Sequence, residues 1–201
     1  MRKPGEYVPA AMAKLRGGSL SDCSEVLRHG DRTATVTRIG KAKQGGDEVT
    51  EAGISENCRV LAYVADFPAL KAGDAVELEK TIRVVTSCGT GPVNSLLAVG
   101  LSAPFDIRAT IMRAGAVTPK SAMVLVSESN PYAENVGGAT RAESWFVWWI
   151  CDADDGRNGP PRGSSIMFPD RPDLPRLYVQ KCRRQDGMFC ATCTANERPS
   201  A

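Results

Sequence analysis

The chain has 201 residues, 42% of them hydrophobic, and a net charge of +2 from 25 basic and 23 acidic residues mixed along its length. That size and apolar content allow one large domain or two small ones, and the even mixture of charges excludes the basic tract of a sequence-specific nucleic-acid binder. No apolar run approaches the ~20 residues of a membrane span. The run at residues 9–13, broken by Lys14 and Arg16, is shorter than the ~7 residues of a signal peptide, so synthesis in the cytoplasm without a membrane partner is expected.

Residues 7–16 carry helix formers after Pro9, and Gly17-Gly18 ends them. Asp22 with Glu25 gives a capping-box pattern ahead of Val26 and Leu27, and Gly30 provides a stop. Residues 1–30 are therefore expected to form a helical segment. His29, the single histidine, falls at its end, where a cationic side chain suits the helix dipole.

From residue 31 the blocks become short, rich in Val, Ile, Thr, Tyr and Trp, and bounded by Gly, Pro, Asn and Asp, which reads as β-strand. The blocks also recur. Residues 34–40 return as 109–115, and residues 58–66 as 144–152, both of the latter being apolar runs that end at Asp. Gly73-Asp74-Ala75-Val76-Glu77-Leu78 returns as Gly163-Ser164-Ser165-Ile166-Met167-Phe168. Residues 82–88 match 176–182, and 94–100 match 187–193. Blocks repeated in the same order indicate an internal duplication. About five short strands per copy suit a small barrel or sandwich. The predicted organisation is a first β unit over 31–103, a second over 104–196 with longer loops, and a flexible tail over 197–201. Long loops are expected at 41–57 and 117–143.

No catalytic, cofactor-binding or metal-binding residues are assigned. A nucleophile would need His29 beside it, and no convergent acid, base and nucleophile set is visible. Residues 152–159 look like a calcium loop, but Gly156 stands at the fifth position, where a ligand is needed, and no Glu closes the loop. Cys190-Ala191-Thr192-Cys193, with Cys182 and Cys151, offers the thiols of a zinc site. Against zinc, residues three apart on a strand point to opposite faces, and there is no second close cysteine pair.

Seven cysteines cannot all pair within one chain. They read either as small buried hydrophobes or as thiols that pair between subunits. Cys88 and Cys182, which hold matching positions after the same strand, and Cys193 are the candidates for inter-subunit disulfides. Trp145, Trp148 and Trp149 belong to the densest apolar block. They read as core or as a subunit interface, where aromatics are enriched.

One pattern covers about residues 10–102. A helical start leads to the strand Thr33-Ala34-Thr35-Val36, a variable loop, the apolar strand 60–65 and Asp66-Phe67-Pro68. Then come Ala72-Gly73-Asp74-Ala75-Val76-Glu77-Leu78, Ile82-Arg83-Val84-Val85 and the closing strand 96–101. This resembles the small β-barrel head–tail joining (tail attachment) proteins of tailed bacteriophages, in which a Pro…Gly-Asp-x-Val-x-Leu turn precedes a Tyr/Phe-x-Val strand. Two features depart from it: the turn becomes Gly163-Ser164 in the second copy, and the family is usually a single unit. The resemblance implies a non-enzymatic virion protein of the neck, made in the host cytoplasm, without cofactor. It also implies a homo-oligomeric ring in contact with other virion proteins. The long loops would bridge to adjacent subunits. The competing expectations are a receptor- or carbohydrate-binding β module, marked by an exposed aromatic platform such as Trp148 or Trp149 near Asp152, and another tail or capsid accessory protein.

Overall fold

The computed structural model describes residues 24–39, 53–129, 144–152 and 158–195. These hold twelve strands and, among the described residues, no helix. The first six are β1 (Ser24–His29), β2 (Arg32–Arg38), β3 (Cys58–Tyr63), β4 (Ala75–Leu78), β5 (Thr81–Thr90) and β6 (Leu96–Leu101). They form a closed antiparallel barrel in the order β1-β2-β3-β6-β5-β4, with β4 paired back onto β1. The second six are β7 (Ile107–Met112), β8 (Lys120–Ser129), β9 (Ser144–Ile150), β10 (Ser165–Met167), β11 (Leu177–Gln185) and β12 (Met188–Thr194). They close in the order β7-β8-β9-β12-β11-β10, with β10 paired onto β7. The strands of the first compact unit end before Ser102 and those of the second begin after Ala103. The protein is thus mainly β, two small closed barrels in tandem, as the repeated blocks predict.

The duplication extends to individual pairs. Val60 lies opposite Val99 in the first barrel, and Val147 lies opposite Ala191 at the same place in the second. Ala75 faces Val84 as Ser165 faces Tyr178. The register slips between Val85 and Ser87 against β6, and again between Val179 and Lys181 against β12. A bulge bends its strand and is a specific local feature, so its recurrence at one position ties the two copies together. The turn into the fourth strand recurs as well. Gly73 has φ 91° and Gly163 φ 84°. Gly73 N–H donates to Val85 O at 2.8 Å, as Gly163 N–H does to Val179 O at 2.9 Å. The carbonyls of Asp74 and Ser164 accept in return from Val85 and Val179, at 2.9 and 2.8 Å. A left-handed φ is cheap for glycine alone, which explains glycine at both places.

Two of the five predicted block matches hold residue for residue: Gly73 with Gly163, and Cys88 with Cys182. Two are one residue out. Val60 corresponds to Val147 rather than Phe146, and Leu97 to Phe189 rather than Cys190. One residue of slip exchanges the inner and outer faces of a strand. The first match is a strand out, since Ala34 of β2 answers to Ala122 of β8, and Ala109 of β7 to Leu27 of β1.

Two further expectations are corrected. Residues 24–29 do not end a helix. They form β1, whose Leu27 is buried in the core. His29 is its last residue, before a two-residue hairpin loop in which Gly30 takes φ 57°. The reading of 117–143 as one loop also fails, because 120–129 is β8. The helical reading of 7–16, most of the 41–57 loop and residue 130 onward to 143 lie outside the described residues.

Alternating side chains fill each barrel. The first core gathers Leu27, Val36, Val60, Phe67, Leu78, Val99 and Leu101, among others. The second gathers Val124, Trp145, Val147, Trp149, Ile166, Leu177 and Phe189. Each such side chain contributes about 1.5–3 kcal/mol relative to exposure.

Candidate functional site

The strand directions bring the ends of β7 and β9 and the start of β8 to one mouth of the second barrel. A cavity of about 310 Å³ opens there. Ile111, Trp149 and Pro160 form its apolar lining, and Arg113, Thr118, Lys120 and Asp152 its polar lining. Ile111 and Trp149 arrive from the barrel interior by strand alternation. Trp149 is wedged against Phe189, with ring centroids 5.5 Å apart and planes tilted by 41°. Lys120 Nζ meets Asp152 Oδ2 at 2.8 Å. Arg113 Nη2 donates to the Asn158 carbonyl at 2.9 Å.

The matching mouth of the first barrel is built differently. The loop between β1 and β2 is only Gly30-Asp31, where the second barrel has residues 113–119. Arg32, the counterpart of Lys120, donates Nη1 to the carbonyls of Ala65 and Asp66 at 3.5 and 3.3 Å. His29 Nε2 lies 3.4 Å from Asp74 Oδ2. That carboxylate oxygen also accepts the Lys71 N–H at 3.0 Å. Where Trp149 stands in the second barrel, the first has Ala62.

The first barrel carries a buried cation instead. Arg83 takes the inward position that Leu177 holds in the second barrel. Its Nη1 donates to Ser102 O at 2.6 Å, Asn57 Oδ1 at 3.2 Å and Cys58 Sγ at 3.7 Å. Ser102 Oγ accepts the Val84 N–H at 2.9 Å, fastening the end of the unit to β5. Nearby, the Arg59 guanidinium holds the Glu56 carboxyl below its usual range, outweighing the opposite effect of burial. Glu56 also accepts from Ser87 Oγ at 3.0 Å.

The tryptophans singled out in the sequence offer no exposed face. Trp145 and Trp149 lie in the core, 8% and 2% exposed. Trp148 alternates with them and points outward, yet it is only 1% exposed. It sits in a buried outer patch with Leu125, Phe146, Met188 and Cys190. Trp149 and Asp152 do line one cavity, but as a wall and a rim, not as a stacking platform.

The three cysteines marked for inter-subunit bonds are free thiols. Cys193 is wholly buried in the second core, so it cannot reach another subunit. Cys88 and Cys182 pack against the two cores just past the bulge. Burial pushes the Cys182 thiol up to about 12 and raises those of Cys88, Cys58 and Cys193 as well, which suppresses the thiolate that exchange chemistry needs. Cys193 points inward and Cys190 outward, so this CxxC does not converge on one point. Of the calcium-like segment, residues 153–157 lie outside the described residues, and Asp152 is engaged by Lys120.

Arg113, Thr118, Lys120 and Pro160 were not singled out from the sequence. The available signal was a length difference: the first two strands of the second copy are joined by a longer connection. Comparison with protein-family models and with curated proteins returns no match.

Proposed function

We propose that this chain is a structural virion protein of a tailed phage, acting as a ring component at the joint between head and tail. The observation that carries the reading is the recurrence of one rigid unit, with the same Gly-Asp or Gly-Ser turn, bulge and register in both barrels. A joint must transmit load without pairing at random, and among the described residues the closed barrels leave no open sheet edge. The turn that supports the resemblance is held by a reciprocal pair of backbone hydrogen bonds in each barrel. Doubling the unit gives each protomer two rigid bodies for contacts with neighbours and other virion proteins.

Immunogold labelling of released tailed particles, with antibody raised against the purified chain, tests the reading. Gold at the head–tail junction is the expected result. Particles that stay unlabelled while the chain is abundant in the producing cells would sink it. A binding module is the second reading, favoured by the cavity at the second mouth. Gold at the distal tip of the tail would favour that one.

A further inference from the structure

We infer that the hairpin of β1 and β2 is an exchange element: it leaves its own barrel and completes the first barrel of a second copy of this chain. The inference concerns contact between copies and rests on the topology of the first barrel, not on the proposed location in a particle. Ser24 to His29 of β1 face Thr37 to Arg32 of β2 along their whole length. A two-residue turn closes the pair, and Arg38 meets the Glu25 carboxylate at 2.6 Å within the same hairpin. The hairpin is thus paired internally from end to end.

Its seams with the rest of the barrel are short. Among the described residues, only Leu27 and Arg28 of β1 face β4, at Leu78 and Glu77. On the other side, only Thr37 and Arg38 of β2 face β3, at Leu61 and Val60. Two backbone bonds extend these seams, Glu79 N–H to Val26 O at 3.1 Å and Ile39 N–H to Arg59 O at 2.8 Å. Val26 N–H donates to the side-chain Oε1 of Glu79 at 2.7 Å, so a carboxylate stands where a longer ladder would offer a backbone carbonyl. Glu79 takes φ 48° to do this, a conformation that is costly for a residue with a Cβ. The other ties, Arg32 to two carbonyls and His29 to Asp74, are partly exposed side-chain contacts, which contribute little.

The second copy holds the matching hairpin along longer seams. There β8 faces β9 from Val124 to Ser129, and β7 faces β10 from Thr110 to Met112. That hairpin sends Ala109, Ile111 and Val124 into the core, where the first sends Leu27 and Val36. In the first barrel the chain from the end of β2 to the start of β3 comprises residues 39–57, which can span up to about 60 Å when extended. No described strand precedes β1, so among the described residues this one connection ties the hairpin to its barrel. The occupant is a second copy because only an identical hairpin brings Leu27, Val36 and the Val26 amide into register with Leu78, Leu61 and Glu79. Exchange of an identical element reproduces every seam and keeps both barrels closed, so it exposes no strand edge.

A cysteine pair across the β1–β4 seam tests the exchange. Arg28 and Glu77 are register partners, at the Cα separation that a disulfide accepts. The full chain carrying Arg28→Cys with Glu77→Cys is separated by size over a range of concentrations, oxidised with glutathione disulfide, and unfolded without reductant. Each single substitution is the control for the native thiols. The expected result is an oligomer, whether dimer or ring, whose new disulfides join different chains, beside a monomer whose disulfide closes within one chain. Glu79→Ala should speed the mixing of isotopically light and heavy oligomers by about tenfold, the equivalent of one hydrogen bond to a charged group. On the unmodified chain, the Glu79 and Ile39 amides should exchange hydrogen together and at least about tenfold faster than those of the β3–β6 ladder. The inference is overturned if the chain stays monomeric at every concentration, if the disulfides of the oligomer close within single chains, if Glu79→Ala leaves mixing unchanged, or if the seam amides are as protected as the β3–β6 ladder.

Discussion

At the inward position where the first barrel holds Ala62, the second holds Trp149, and where the first holds Arg83, the second holds Leu177. Around those exchanges the strand plan is the same. The strand order, the bulge after Val85 or Val179 and the glycine turn into the fourth strand are common to both. The difference teaches that turn and bulge chemistry fix this barrel, while its interior tolerates refilling so long as volume and patterning are kept. The first copy makes room for a guanidinium by giving it three acceptors. The second uses rings and opens its mouth.

The largest break in the comparison should come from Trp149→Ala. It empties a buried ring position and should cost about 3–5 kcal/mol. All three tryptophans lie in the second copy, so urea unfolding followed by Trp fluorescence reports that barrel. A loss below 1 kcal/mol would show that Trp149 is not part of the packed core.

Arg83 sharpens the contrast in the other barrel. Arg83→Ala removes the guanidinium's hydrogen bonds to Ser102 O and Asn57 Oδ1 and should cost about 1–3 kcal/mol. Arg83→Leu installs the residue type of the second copy; it removes the same donor but refills the space, so it should cost less than Ala. Hydrogen exchange of the β5 amides measures both. If Leu is as costly as Ala, the three acceptors matter more than filling the space.

Gly73→Ala and Gly163→Ala should each cost about 1–2 kcal/mol, and nearly the same amount, because the two turns share their φ and their hydrogen bonds. Unequal losses would mean that the turns differ in a way their geometry does not show. Lys80→Gly works in the opposite direction. Glu79 and Lys80 turn the β4–β5 hairpin at φ 48° and 67° without a glycine, so glycine at 80 should raise the midpoint of the first barrel by up to about 1 kcal/mol of stability.

The last effect is confined to alkaline pH. The Cys182 thiol keeps its proton up to about 12 in the fold, against the usual 9.0, because burial disfavours the thiolate. Between those values the unfolded chain binds fewer protons than the folded one, so stability is full below pH 9 and falls as pH rises toward 12. Cys182→Val should flatten that decline in the second barrel, read by Trp fluorescence between pH 8.5 and 11. An unchanged slope would show that Cys182 does not carry it.

Local chemistry was legible wherever it leaves its own mark. The Gly73 and Gly163 turns and the matched Cys88 and Cys182 could be read because a left-handed glycine and the residues around a bulge are set by sequence neighbours. The slip at 144–150 has a plain cause. Trp145 to Trp149 are apolar at every position, so no alternation reveals which residues face inward. β1 was misread because Asp22 and Glu25 form a capping pattern, whereas the residues that make 24–29 a strand are its partners at 32–37. β8 was missed although residues 122–126 are a continuous apolar run. The candidate site was not legible, since Arg113, Lys120, Asp152 and Pro160 meet only when three strand ends and a loop close around one mouth.

By itself, then, the sequence determined a β protein, its doubling and the turns that punctuate each copy, because those depend on residues close together along the chain. Which way each apolar side chain points, which mouth is open and which thiols are buried were decided only by the closed barrel. Register and burial depend on partners tens of residues away, and a single residue of slip turns an inside face out.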